Sequence, residues 1–506
     1  MGILKIDQDT VTKNTPKGES LEGVTVPASY EIEQLSLYNE DGEEEENFRS
    51  IVNSIKIIEE LYSPVIICKI NVLDDQDFFQ KFKITGKEIL VLKIKKRIQG
   101  AGTGGTEERI ELGFIVKEYP SYRKSTSGIQ HQEYDIIFTT PFAYFSRVQT
   151  ISLSVEGNIF DITKDLYKDY LGVDSENILF EGEECPYKIK TVITKRTPLQ
   201  AVTWLLSKAR TVDGYPYMMW QTINAKYKNK IIIKSWDKII KKDFDNYVSK
   251  KPYTYKKFFI EEPGTIEHTK ETLSSIISFS SSLKIDKLDQ VIKGGFGNKL
   301  TVFDYEAKLD FPNTFTPPDP SDKRYSLENL KDLSDKLGLT KNRFKPNTAN
   351  NNSFTSSIFS SINESLQAVA NKIFDTQSLA ENSSLFLHKP APLYENIAAG
   401  AYKTTIDINE QNKQKTEFLK ASSENISHNC VLYGDFNLNP GLRIILDIPQ
   451  TTDGPLRDTN ELPNQAIEDS DLSGEYIITL AVHNFQNGEY TTKLRLIKPL
   501  EEGVFN

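Results

Sequence analysis

Apolar residues recur at every second position in short runs along roughly the first third of the chain, and each run closes on turn-forming residues. Such alternation puts the apolar set on one face of a strand and the polar set on the other. Ile32, Leu35 and Leu37 open the series, which breaks at the acidic run 41–46. Residues 50–59, 65–72 and 84–94 predict further strands, with Thr85 and Gly86 marking entry to the last, and 113–118 and 134–139 continue the pattern. Short strands separated by hairpin turns predict a small antiparallel barrel or sandwich over 26–155. The acidic run reads as a solvated hairpin loop, because its carboxylates lack the alternating spacing of a calcium loop. The glycine-rich stretch 101–105 precedes a strand and not a helix, so it reads as a hairpin tip and not a phosphate loop.

The period then changes. Ile159, Ile162, Leu166 and Leu171 stand at helical spacing and predict a helix over 158–171. A strand follows at 189–193, and Thr197 with Pro198 provides an N-cap and a first-turn proline. The helix they open runs to Arg210, with Val202, Leu205, Leu206 and Ala209 as its apolar face. Strands at 217–222 and 230–234, with Asn224 near their turn, complete a central α/β domain over 156–259. Helical spacing returns at Leu273, Ile276, Ile277 and Leu288, followed by a glycine turn at 294–298 and a strand at 299–304. Residues 260–311 are expected to contribute to a second barrel, whose own strands lie at 427–434, 442–448, 474–484 and 490–497, within 405–506. Two segments stand apart. Residues 1–25 read as a polar arm. Residues 312–404 are rich in Ser, Asn and Pro and read as an insert of low order. Inside it, Leu327, Leu330, Leu333 and Leu337 form one apolar stripe, and Phe354, Ile358, Ile362, Leu366, Val369 and Ile373 another. The second predicts a helix over 354–373, docked on this chain or a neighbour. The predicted fold class is mixed α+β, predominantly β: two antiparallel barrels, a central α/β domain and a helical, low-order insert.

Composition narrows the function. The 506 residues suffice for three or four domains, and 38% hydrophobic with 26% charged residues marks a globular chain. The net charge of -10 argues against a general nucleic-acid coat. The N-terminus turns polar at once and no long apolar run occurs, so folding in a cytoplasm, with no membrane-spanning segment, is expected. Three distant cysteines, Cys68, Cys185 and Cys430, form neither a disulfide framework nor a metal motif, and read as buried small residues. The five histidines are equally scattered: His131 and His483 in strands, His268, His388 and His428 in or near loops. No nucleophile elbow, zinc-protease helix or phosphate loop is present. No catalytic, cofactor-binding or metal residue is therefore assigned, no cofactor is expected, and an assembly role is favoured over catalysis.

The order of the elements resembles the baseplate hub family of contractile, T-even-like phage tails. The matching stretches are Ile32 to Tyr38, VLDDQDF at 72–78, FKITGKEIL at 82–90, YDIIF at 134–138 and ISLSVEG at 151–157 through Asp161 and Ile162. The central motif is TPLQAVTWL at 197–205 followed by YMMWQT at 217–222, and the last is SGEYII at 473–478, VHNF at 482–485 and YTTKL at 490–494. The departures are Gln221, where acidic residues are frequent in the family, and the insert. The resemblance implies a non-enzymatic, trimeric virion protein that joins the hexameric tail tube to the trimeric central spike, each subunit carrying two tube-like barrels. Implied partners are the spike, the tube or its initiator, baseplate wedge proteins and the tape-measure protein, with DNA crossing the lumen without specific binding. It implies assembly in the host cytoplasm and a place in the tail baseplate, with Trp204 and Trp220 as core anchors. A tail-associated peptidoglycan hydrolase and a glycan-binding tail-tip protein remain as alternatives.

Overall fold

The alternating segments fold as strands and close on one another. The computed structural model describes residues 29–44, 48–75, 78–82, 85–97, 108–119, 123–124, 132–182, 185–212, 215–224, 229–255, 273–282, 298–304, 309–315, 384–388, 393–394, 427–448 and 472–498. The polar arm, the glycine-rich tip at 101–105 and both apolar stripes of the insert lie outside them.

The first barrel is built from β1 (Ser29–Tyr38), β2 (Val52–Glu60), β3 (Ile67–Asp74), β4 (Ile89–Arg97), β5 (Glu108–Glu118) and β7 (Gln132–Thr139), with a short β6 (Arg123–Lys124) beside β7. These pair antiparallel in the order β2-β3-β7-β5-β4-β1. Inward positions alternate as expected: Ile55 and Ile57, then Cys68, Ile70 and Val72, then Leu90, Leu92 and Ile94, all essentially inaccessible. Two short helices, α1 (Phe48–Ile51) and α2 (Phe78–Phe82), add Phe48 and Phe78 to this core, their rings 5.6 Å apart.

The central unit holds α3 (Pro141–Arg147), β8 (Ile151–Asn158), α4 (Ile159–Leu171), β9 (Ile178–Glu181), β10 (Lys188–Arg196), α5 (Pro198–Leu206), β11 (Tyr217–Gln221), β12 (Ile231–Ser235) and α6 (Trp236–Ile240). Asn158 caps α4 by accepting from Phe160 N–H. Thr197 and Gln200 form a reciprocal capping box ahead of α5, with Pro198 in the first turn. β8 pairs with β10, and β12 lies between β11 and β9, the β12–β9 pairing being parallel.

The rest comprises β13 (Tyr253–Tyr255), β14 (Ser275–Ser282), β15 (Asn298–Asp304), β16 (Leu309–Phe315), β17 (Ser384–His388), β18 (Leu393–Tyr394), β19 (Ser427–Tyr433), β20 (Arg443–Asp447), β21 (Gly474–Gln486) and β22 (Glu489–Ile497). Six of them, in the order β21-β20-β13-β14-β19-β22, form a closed ring because β21 also pairs with β22.

The hairpin β21–β22 belongs to both barrels. Near its start β21 pairs with β20, from Gly474↔Leu446 to Ile477↔Arg443. From Leu480 to Gln486 it pairs with β2 of the first barrel. Its partner β22 pairs with β19 over 491–497 and touches β1 at Glu489↔Ser29. The turn is Asn487-Gly488, both at positive φ (51° and 81°), which suits a type I′ hairpin. The hairpin's aromatics fill the first barrel: Phe485 stacks on Tyr490 at 4.4 Å and meets Tyr30 edge-on at 5.1 Å.

Four expectations need correction. The second barrel is not wholly antiparallel, since β13 pairs parallel with both β14 and β20. Residues 151–155 leave the first barrel, because β8 hydrogen-bonds to β10 of the central unit. The helical spacing around Ile276 and Ile277 gives the strand β14: Ile276 points into the core, Ile277 points out, and pairing with β19 fixes the register. His428 lies inside β19 and is buried, not in a loop.

Gly434 tests the contact between the hairpin and the loop after β19. A Cβ there would stand 2.0 Å from the Tyr490 ring. Gly434→Ala should therefore push Tyr490 out of place and cost about 1–3 kcal/mol in denaturant unfolding. Unchanged stability would mean that this contact relaxes freely.

Candidate functional site: a buried polar junction and a basic groove

Period-2 alternation places Glu59 on the same face of β2 as Ile55 and Ile57, so a carboxylate points into a core. It is fully buried where the first barrel, the loop after β11 and the loop before β20 meet. Ile223 N–H donates to its Oε1 at 2.5 Å. Asn439 Nδ2 donates to Oε2 at 3.0 Å, and the Thr222 hydroxyl donates to the same oxygen at 3.4 Å. Asn224 Nδ2 donates in turn to Asn439 Oδ1 at 2.7 Å, which aims the Asn439 donor at the carboxylate. Each of these three contacts brings a donor to Glu59, and none of them is a cation. Burial pushes its pKa up from 4.5 to about 7 against those hydrogen bonds, which favour the ionised form.

Two more polar residues point inward beside it. His483 shares a face of β21 with Ala481 and Phe485, and its Nδ1 stands 2.7 Å from the Tyr490 hydroxyl. Burial, with the Lys96 charge adding to it, lowers its pKa from 6.5 to about 3, so the ring is neutral. Lys96 continues the inward face of β4 and pairs with Asp435 at 3.2 Å and Glu108 at 3.5 Å. Asn437 Nδ2 donates to Glu108 at 3.0 Å and ties the loop before β20 to β5. An apolar seam lies alongside: Trp220, Trp236, Ile239 and Ile240 of the central unit pack with Ile477 and Ile497 of the shared hairpin. Trp220 is 3% exposed and lies so close to Gly441 that a Cβ there would be 2.7 Å from its ring. The geometry of the junction locks three parts of the chain together.

Trp204 departs from the expected role of core anchor. It is half-buried, because on α5 it lies at the flank between the buried stripe of Ala201, Val202 and Leu205 and the exposed Thr203 and Ser207. The Arg196 guanidinium and the Lys208 ammonium each stand 5.0 Å from its ring centroid. A groove of about 680 Å³ runs past it, bordered by Lys195, Arg196, Leu199, Gln200 and Thr203. A second, polar groove of about 280 Å³ on the first barrel holds Lys69 and Asp135, 2.6 Å apart, with Asn71 donating to Asp135 at 2.9 Å. Cys68, Cys185 and Cys430 are buried free thiols. Among the described residues no group of three or more His, Cys, Asp or Glu could hold a metal, and no helix is long and apolar enough to cross a membrane.

The sequence pattern assigned no role to Glu59 or Lys96, and it placed His483 in a strand without one. The signal was present, since each occupies an inward register position in an otherwise apolar alternation.

No protein-family profile matches the chain, and no curated protein matches it. Solved structures do. A tail protein from Neisseria meningitidis aligns over 94% of this chain and 98% of its own length, at 10% identity and a TM-score of 0.45. A 43 kDa tail protein of prophage MuSo2 from Shewanella oneidensis aligns over 93% and 98%, at 8% identity and 0.45. An E. coli component of the type VI secretion system, similar to phage tail proteins, aligns over 94% and 77%, at 10% and 0.37. At these scores the likeness is coarse.

The junction carries a pH dependence of definite sign. Glu59 binds its proton more tightly folded than unfolded, so its contribution is greatest below about pH 4.5 and is lost as pH rises through about 7. That difference corresponds to roughly 3 kcal/mol. Glu59→Gln removes the titration. The unfolding free energy of the wild type minus that of the variant should fall by about that amount across this window. A difference independent of pH would show that Glu59 titrates as an ordinary carboxylate.

Proposed function

We propose that this chain is the structural hub subunit of a contractile phage tail baseplate, a trimeric adaptor between the hexameric tail tube and the trimeric central spike. The observation that carries the reading is the hairpin β21–β22, which welds two barrels into one subunit through continuous strand pairing. Three such subunits would present six barrels, a near six-fold face upward on a three-fold body. The sequence motifs at 32–38, 82–90, 197–205 and 473–494 support the same assignment by their order. Tube or tube initiator, wedge proteins, spike and tape measure are the proposed neighbours. DNA would pass through the lumen, and the net charge of -10 would keep it from adhering. The subunit would act without catalysis, by holding geometry: the Glu59 network and the Trp220 seam keep barrels and central unit in fixed relation.

Mass measurement in solution, alone and with the spike protein, tests the proposal. Three chains per particle are expected, with interfaces of roughly 2,000 Å² or more. A monomer in both conditions, or a six-fold ring of whole chains, would refute the stoichiometry. In a turbidity assay on purified cell walls the isolated chain should leave the suspension unchanged, and clearing would establish a hydrolase instead.

A further inference from the structure

The groove beside Trp204 is basic in a chain that is acidic overall. The sequence holds 71 Asp and Glu against 61 Lys and Arg. Yet Lys195 and Arg196 both border the groove, Lys208 reaches the same indole, and no carboxylate lines it. The backbone there is specialised as well. The β8–β10 ladder shifts register between Ile193 and Arg196, and Lys195 takes a left-handed φ of 44°, which a non-glycine residue adopts only at a cost. Lys195 N–H donates to Ser152 Oγ at 3.1 Å, which holds that bulge in place. The bulge turns two consecutive basic residues to the start of α5, next to Leu199 and the half-exposed ring of Trp204.

We propose that this groove docks a short acidic peptide segment of a partner protein. Its carboxylates would meet Arg196 and Lys195, and an adjacent apolar side chain would cover Trp204 and Leu199. Charge complementarity selects this occupant: a cationic rim around one aromatic and one aliphatic side chain matches alternating acidic and apolar residues. A nucleic-acid strand fits less well. Its binding typically draws on several phosphate contacts and successive stacking rings, and here two cations border the groove with a single ring among its lining residues.

Trp204 itself reports occupancy. The other two tryptophans, Trp220 and Trp236, are 3% and 1% exposed, so an aqueous quencher reads Trp204. The full chain is titrated with a peptide of alternating Glu and Leu while acrylamide quenching is followed. The peptide should protect Trp204, and protection should weaken as salt rises from about 50 to about 500 mM. Arg196→Glu and, separately, the more exposed Lys195→Glu should each weaken binding at least roughly tenfold. Circular dichroism checks that both variants fold, and either folded variant suffices. No protection by the peptide, equal protection by the Gln-Leu analogue, or tighter protection by a single-stranded oligonucleotide would each overturn the proposal.

Discussion

One hairpin holds this architecture together. β21 is long enough to serve two barrels in succession, and the turn at Asn487-Gly488 returns β22 so that both strands leave the second barrel and enter the first. Neither core is complete without it. The first barrel takes Phe485 and Tyr490 from it, and the second takes Tyr476, Ile478, Leu494 and Leu496. The price is non-local closure. Ser54 must find Gln486 across most of the chain, and pairings of such sequence separation form slowly because loop entropy is lost before contacts are gained. The two barrels are therefore expected to stabilise together, as a single cooperative body.

Buried polar groups at the weld follow from the same constraint. Apolar contact is non-directional, so buried polar groups add a directional constraint on how the two barrels and the α/β unit meet, beyond the shared strand pairing. Hydrogen bonds are directional. Glu59 receives donors from the loop after β11 and from the loop before β20, and Lys96 joins β4 to Asp435 and β5. Breaking such a buried set leaves unpaired charge, so misaligned arrangements are penalised more than the aligned one is stabilised. The network fixes register and orientation, while Trp220, Trp236 and their aliphatic neighbours supply the bulk of the burial.

Much of this was legible in the residues. The strands of the first barrel follow their alternation, with ends displaced by a few residues, and Thr197-Pro198 opened α5 with the capping anticipated for it. What stayed hidden depended on distant partners. Nothing local in Tyr253–Tyr255 reveals a strand wedged parallel between β14 and β20. Ile276 and Ile277 suited a helix until β19 was there to pair with. The alternation of β21 does break at 476–479, all buried, where its ladder with β22 shifts register between Ile478 and Leu480, but that it crosses there from one barrel to the other depends on its distant partners β20 and β2. The inward Glu59, Lys96 and His483 were visible as breaks in apolar faces. Trp204 and Trp220 stand in adjacent motifs, yet one is half-exposed and the other buried, because only Trp220 lies on a strand covered on both faces.

The two ionisable groups nearest the weld oppose each other. Glu59 keeps its proton to about pH 7, so between 4.5 and 7 the folded state binds more protons than the unfolded one and stability falls as pH rises. His483 refuses its proton until about pH 3, so between 3 and 6.5 the unfolded state binds more and stability rises with pH. Where the windows overlap, the slopes cancel. Lys96 sharpens the balance: its charge repels a proton from His483, while Asp435 and Glu108 hold it away from unpaired burial. A weld of this kind keeps its strength through mildly acid conditions although it contains a buried carboxylate and a buried imidazole. Removing either group alone would expose the pH dependence of the other.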